Sequence, residues 1–129
     1  MSMKSLTILI VDDSATMRQF VRRAVHLSDV PVGSVLEAAN GKEALALLDA
    51  HEIDALFTDI NMPVMSGSEL LRELKRQGRN TPARIVLSTD GSEARRREMK
   101  GLAQWYVNKP VRPEVVRDVL NELASNLGD

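Results

Sequence analysis

LTILIVDDS, residues 6–14, sets six apolar or β-branched residues in a row and then, without transition, two aspartates and a serine. A run without polar alternation is the signature of a strand covered on both faces, as in a parallel sheet. Ser14 is placed to cap a helix, and behind it Met17, Phe20, Val21, Ala24 and Val25 recur at three- and four-residue steps as far as Leu27. A buried strand, an abrupt polar stop and an amphipathic helix make the first half of a βαβ unit.

The same alternation continues along the chain. Ser34 to Ala38 reads as a second strand, Asn40-Gly41 as a turn, and Lys42 to Ala50 as a helix anchored by Leu45 and Leu48. Ala55 to Thr58 is a third strand, followed by TDINMPVMSG (58–67), whose Asn, Pro and Gly mark a turn. Ser66-Gly67-Ser68-Glu69 has the capping-box form, and Leu70, Leu71 and Leu74 give the next helix its stripe. Gly78 to Pro82 breaks that helix, and RIVLST (84–89) reads as a fourth strand. SEARRREMKG (92–101) is helical by propensity but has little apolar face. Trp105 to Val107 is a short fifth strand, Lys109-Pro110 a turn, and Pro113 opens a last helix carrying Val116, Val119, Leu120 and Leu123. Strand-helix alternation predicts an α/β fold, a five-stranded parallel sheet with five helices on its two faces, joined by right-handed crossovers. In such folds ligands bind beyond the carboxyl ends of the strands.

Composition narrows the function. At 129 residues one core is expected, with no stretch suited to be a linker. Seventeen basic residues against 18 acids give no broad positive field, so nucleic-acid binding is not expected. The absence of cysteine excludes thiolate zinc sites and cysteine nucleophiles and fits a reducing compartment. The first apolar run is too short for a signal peptide or a membrane span, so the expected location is cytoplasmic, away from the membrane.

The polar residues fall at one sheet edge: Asp12 and Asp13 after the first strand, Asp59 after the third, Ser88 and Thr89 ending the fourth, Lys109 after the fifth. Carboxylates this close repel by about 4 kcal/mol per pair at 4 Å in an effective dielectric near 20. Such a cluster calls for a cation. A hard divalent ion bound by oxygen, magnesium in the first place, suits it and suits phosphoryl chemistry. An aspartate can act as the nucleophile, forming an acyl phosphate.

IVDDS (10–14), DINMPVMSG (59–67), the Thr89 position and YVNKP (106–110) together resemble the receiver domain of two-component response regulators. VDDSATMRQFVRRAV (11–25) is similar to the CheY-like single-domain chemotaxis regulators within that family. The resemblance implies a flavodoxin-like doubly wound sheet of order 2-1-3-4-5, and one receiver domain over residues 1–129, core about 6–127, with no output domain. It implies that Asp59 accepts a phosphoryl group from a sensor histidine kinase or a histidine phosphotransfer protein. Asp13 and Asp59 would bind Mg2+, or Mn2+, directly, Asn61 through its backbone carbonyl and Asp12 through water. Thr89 and Lys109 would hold the phosphoryl group, with Ser88 as the competing hydroxyl, and Tyr106 would change rotamer with the threonine. The output would be a changed helix 4/strand 5/helix 5 face that binds a downstream target, in a monomer or a weak phosphorylation-linked dimer. Such a protein is a phosphoacceptor that assists its own phosphotransfer and dephosphorylation, not a turnover enzyme.

Departures from the family pattern are specific. The position after Thr89 is commonly small in that family and here is Asp90, followed by Gly91, so both are possible modulators of the pocket. Leu102-Ala103 stands where Gly-Ala is frequent. Arg95, Arg96, Arg97 and Lys100 form a basic cluster suited to an acidic partner or a second receiver. The alternative from another class is a Mg2+-dependent aspartyl-phosphate phosphohydrolase of haloacid dehalogenase type. Its D-x-D-x-T pattern faces DDSAT in this chain.

Overall fold

The apolar runs pair into one sheet of five parallel strands in the order β2-β1-β3-β4-β5. The computed structural model describes residues 5–127. The expected domain of residues 1–129 runs past this range, and positions 1–4 and 128–129 lie outside the described residues. The strands are β1 (Leu6–Val11), β2 (Val32–Ala38), β3 (Ala55–Asp59), β4 (Ala83–Ser88) and β5 (Trp105–Asn108). The helices between and after them are α1 (Ala15–His26), α2 (Gly41–Ala50), α3 (Gly67–Arg76), α4 (Glu93–Met99) and α5 (Pro113–Leu127).

Side-chain alternation along the central strands splits the core in two. Ile8, Ile10, Ala55, Phe57, Ile85 and Leu87 face α1 and α5, whose Val21, Ala24, Val25, Val116, Leu120 and Leu123 are buried against them. Leu9, Val11, Leu56 and Val86 face the opposite layer, formed by Ala44 and Leu48 of α2, Leu70, Leu71 and Leu74 of α3, and Met99 of α4. Burying a large aliphatic side chain contributes about 1.5–3 kcal/mol, so these two layers supply most of the drive to fold.

Capping follows the sequence closely. Ser14 Oγ accepts the Met17 N–H at 3.2 Å, and Asn40 Oδ1 accepts the Glu43 N–H at 2.9 Å. Ser66 and Glu69 exchange hydrogen bonds of 3.1 and 3.0 Å in a full capping box.

Three readings are corrected. The second strand starts at Val32, not Ser34, because the pairing jumps from Leu6↔Val32 to Thr7↔Ser34 and leaves Gly33 as an extra residue. A bulge on an edge strand tolerates the Pro and Gly that read as a loop. The fourth strand covers 83–88 rather than 84–89. Phe20, placed in the apolar stripe of α1, is 42% exposed, while Val21, Ala24 and Val25 carry the packing.

Candidate functional site

Parallel register builds the site. Val11 pairs with Thr58, Asp59 with Leu87, and Ser88 with Asn108. The next residue of β1 is therefore Asp12, beside Asp59, and the residue after β5 is Lys109, whose N–H donates to Ser88 O at 2.8 Å. Asp12 is 3% exposed, and its N–H donates to Ala38 O of β2 at 3.1 Å.

Lys109 Nζ reaches both central acids, at 3.2 Å from Asp12 Oδ2 and 3.3 Å from Asp59 Oδ2. Asp12 Oδ1 accepts the Ser14 N–H at 2.9 Å, and Asp59 Oδ1 accepts the Ile60 N–H at 2.7 Å. Burial pushes the Asp59 carboxyl above its ordinary range. The Lys109 ammonium and the Ile60 N–H oppose that shift, and the Asp12 charge adds to it.

Asp13 is exposed, yet one carboxylate oxygen each from Asp12, Asp13 and Asp59 lies within 4.8 Å of the other two. Three carboxylates around one ammonium leave an excess of negative charge. All-oxygen donors with one ligand open to solvent fit a hard divalent cation that retains water. The metal-site expectation for these acids therefore agrees with the donor chemistry.

The loop after Asp59 is folded tightly back on it. The Gly67 N–H donates to Ile60 O at 2.7 Å, and a Cβ at Gly67 would come within 1.9 Å of Asp59 O. Only glycine lets α3 start against the acid's own backbone. Gly41 plays the same part from the other side, its N–H donating to Met65 O at 2.9 Å where a Cβ would sit 2.7 Å from Met65 Cγ. Asn61 and Pro63 are exposed on this loop.

The hydroxyls separate clearly. Ser88 is the last residue of β4, 2% exposed, on the sheet face shared with Val86 and Tyr106, and its Oγ accepts the Asp90 N–H at 3.0 Å. Thr89 lies one residue past the strand and is exposed. Asp90 is engaged by its own loop and α4: Oδ1 accepts the Ser92 N–H at 2.9 Å and Oδ2 lies 3.7 Å from Arg95 Nε. Hydrogen bonds from Ser92, more than the arginine, hold its carboxyl below the usual range. Gly91 leaves room for Asn108, whose Nδ2 would lie 3.0 Å from a Cβ there.

Tyr106 is half-buried, and its hydroxyl donates to Asp90 O. The Arg96 guanidinium lies 4.7 Å from the ring centroid and also donates to Asn108 Oδ1. The basic cluster of α4 is partly neutralised at home. Arg95 pairs with Glu98 at 3.0 Å, and Arg97 lies 3.6 Å from Glu93.

A doubly wound sheet carrying three acids and a lysine at its carboxyl edge defines a class, and comparison with known families agrees with it. The chain belongs to the response regulator receiver domain family, which matches residues 8–121. Among individual relatives, it is 35% identical over 118 residues to chemotaxis protein CheY1 of Helicobacter pylori, covering 89% of this chain and 94% of that one. A chemotaxis protein CheY homolog of Campylobacter jejuni is 33% identical over 121 residues, 92% of each chain. Among solved structures, chemotaxis protein CheY4 of Vibrio cholerae superposes with a TM-score of 0.81 at 30% identity, covering 93% of this chain and 99% of that one. The receiver domain of the Francisella response regulator 1452 reaches 0.84 at 27% identity, covering 95% and 98%. The phosphohydrolase alternative finds no support in these matches. Among the described residues, no helix is long and apolar enough to cross a membrane.

Proposed function

We propose that the chain is a phosphorylation-dependent switch in which Asp59 is the phosphoacceptor. The observation that carries this is the Lys109 ammonium held between Asp12 and Asp59, at 3.2 and 3.3 Å, at the carboxyl edge of the sheet. An Asp59 carboxylate oxygen attacks the phosphorus of a phosphohistidine. The P–O bond forms as the P–N bond breaks, and the leaving imidazole takes up a proton. A bound Mg2+, or Mn2+ in its place, supplies neutralisation of the phosphoryl charge. Asp13 and Asp59 would hold it directly, the Asn61 carbonyl would face it, and Asp12 would act through water while anchoring Lys109.

In this reading the phosphoryl-sensing hydroxyl is Ser88 rather than Thr89, a choice supported by the burial of Ser88 at the strand end and the exposure of Thr89. Ser88 shares its sheet face with Tyr106, whose hydroxyl already reaches the loop that follows Ser88. Phosphorylation adds about −1.5 to −2 charge at neutral pH, enough to draw Ser88 and Lys109 inward and bias the α4/β5/α5 face.

The donor in this reading is a sensor histidine kinase or a histidine phosphotransfer protein, and the reader is a cytoplasmic target protein rather than nucleic acid. Relatives bearing chemotaxis names favour a chemotaxis output, delivered by a monomer or a weak phosphorylation-linked dimer. The test is uptake of a base- and hydroxylamine-labile phosphoryl group from acetyl phosphate with Mg2+, in wild type, Ser88→Ala and Thr89→Ala. Uptake that needs Mg2+ and slows in Ser88→Ala alone is expected. Uptake unaffected by chelation, or slowed only in Thr89→Ala, overturns the corresponding assignment.

A further inference from the structure

Asp12 is tied down at every polar group it has. Its carboxylate takes Ser14 N–H and Lys109, its N–H goes to β2, and its carbonyl oxygen accepts Arg18 Nη1 at 2.6 Å. Arg18 comes from α1, and its Nε donates to Glu37 Oε1 of β2 at 2.9 Å. Glu37 is in turn fixed by Arg22, whose Nε donates to Oε2 at 2.9 Å while its Nη2 donates to Val35 O at 3.1 Å. The Arg18 side chain is 19% exposed and the Glu37 side chain 27%, so this chain of contacts is partly shielded from water.

The Asp12 carbonyl belongs to the planar peptide that also contains the Asp13 nitrogen. Fixing that oxygen fixes the plane from which the Asp13 side chain departs. Asp13 is exposed, and among the described residues no hydrogen bond or ion pair holds its carboxylate, so its direction depends on its backbone. We propose that Arg18, oriented by Glu37, is a positioning residue for the cation site: it sets the Asp12–Asp13 peptide so that Asp13 points at the position shared with Asp59. This inference rests on the reading of Asp12, Asp13 and Asp59 as a cation site.

Electrostatics and positioning predict opposite signs here. A guanidinium close to the site repels a divalent cation, so a purely electrostatic Arg18 would weaken Mg2+ binding and its removal would tighten it. A positioning Arg18 does the reverse. Residues that orient metal ligands from behind typically change affinity by ten- to a hundredfold when removed.

The experiment is Mg2+ titration by calorimetry on wild type, Arg18→Ala, Arg18→Lys, Glu37→Gln and Arg18→Ala/Glu37→Ala, with thermal unfolding of each metal-free protein in parallel. Arg18→Ala is expected to raise the Mg2+ Kd about tenfold. Arg18→Lys keeps the charge but cannot bridge Glu37 and the carbonyl with one planar fork, so it recovers only part of the loss. Glu37→Gln keeps an acceptor for Arg18 and raises Kd less, by about threefold, below the ten- to hundredfold typical of direct support, and adding Glu37→Ala to Arg18→Ala changes nothing more. An unchanged or lower Kd in Arg18→Ala overturns the inference while leaving the site intact. Wild type that binds no Mg2+ overturns the site reading, and the inference with it. If Arg18→Ala does not fold, Glu37→Gln decides, and a wild-type Kd there overturns the inference.

Discussion

The Lys109 ammonium stands 3.3 Å from the Asp59 carboxylate and holds Asp12 at almost the same distance. One cation from the second half of the chain thus restrains two acids from the first, and the 13% exposure of its side chain leaves it little alternative partnering by water.

Lys109→Ala leaves that pair of carboxylates without their shared counterion. Breaking a fully buried pair costs about 3–5 kcal/mol. Because the Asp59 side chain still reaches solvent, we expect a metal-free loss of about 1–3 kcal/mol by urea denaturation, below that fully buried cost. The same variant should bind Mg2+ more tightly than wild type, since a competing cation is gone. Weaker Mg2+ binding would mean that Lys109 shapes the site rather than only neutralising it.

The raised Asp59 pKa sets a pH dependence. From below the ordinary value of 3.8 up through the folded value, the native state keeps a proton that the unfolded chain has released, so stability falls as pH rises. Above that window the ionised, partly desolvated Asp59 is a penalty. Metal-free Asp59→Asn should therefore be more stable than wild type at pH 7, by on the order of 1 kcal/mol. The advantage should shrink toward pH 3, where Asp59 is protonated in both states. Denaturant midpoints at the two pH values measure this, and a less stable Asp59→Asn at pH 7 would contradict it.

Val64 in the loop after Asp59 and Gly67 at the start of α3 predict opposite effects. Val64, 75% exposed, has φ 69°, a left-handed conformation that costs an L-residue about 1–2 kcal/mol and a β-branched one the most. Val64→Asn should stabilise by about 1 kcal/mol, because asparagine tolerates that region. Gly67→Ala should destabilise by more than about 2 kcal/mol, since its Cβ would overlap the Asp59 carbonyl. Thermal unfolding distinguishes them.

Arg96 lies over the Tyr106 ring and reaches Asn108, joining α4 to β5. Cation–π contacts at exposed sites contribute about 0.5–1 kcal/mol, so Arg96→Ala should change global stability little. It should nevertheless release the ring. The chain has one tyrosine, so its ring resonances report the change without ambiguity. Arg96→Ala is expected to shift or broaden them by exchange, and unchanged resonances would show that the Asp90 carbonyl alone holds the ring.

Much of this was legible in the sequence because local rules and global fold agree. The uninterrupted run before Asp12, the capping box at Ser66 and the stripe at Leu70, Leu71 and Leu74 each point to the element that forms. The limits were equally physical. β2 begins before its apparent loop because a bulge at Gly33 on an edge strand absorbs the irregularity. The proposal of Ser88 over Thr89 turns on where β4 ends, one residue of strand length that composition does not encode when both residues carry hydroxyls. Asp90, read from sequence as a modulator of the pocket, is engaged by Ser92 and Arg95, a contact that depends on how the β4–α4 loop turns. Arg18 and Glu37 carried no motif at all. Their juxtaposition exists only because α1 packs beside β2.

The central claim, that Asp59 receives the phosphoryl group, is tested most directly by trapping the product. Protein treated with acetyl phosphate and Mg2+ is reduced with borohydride, which converts an aspartyl phosphate to homoserine, and the peptides are sequenced by mass spectrometry. Reduction at position 59 and nowhere else in wild type, absent from Asp59→Asn and from samples without Mg2+, is the predicted result. Reduction at Asp12 or Asp13, or none under conditions that label another receiver domain, would contradict it.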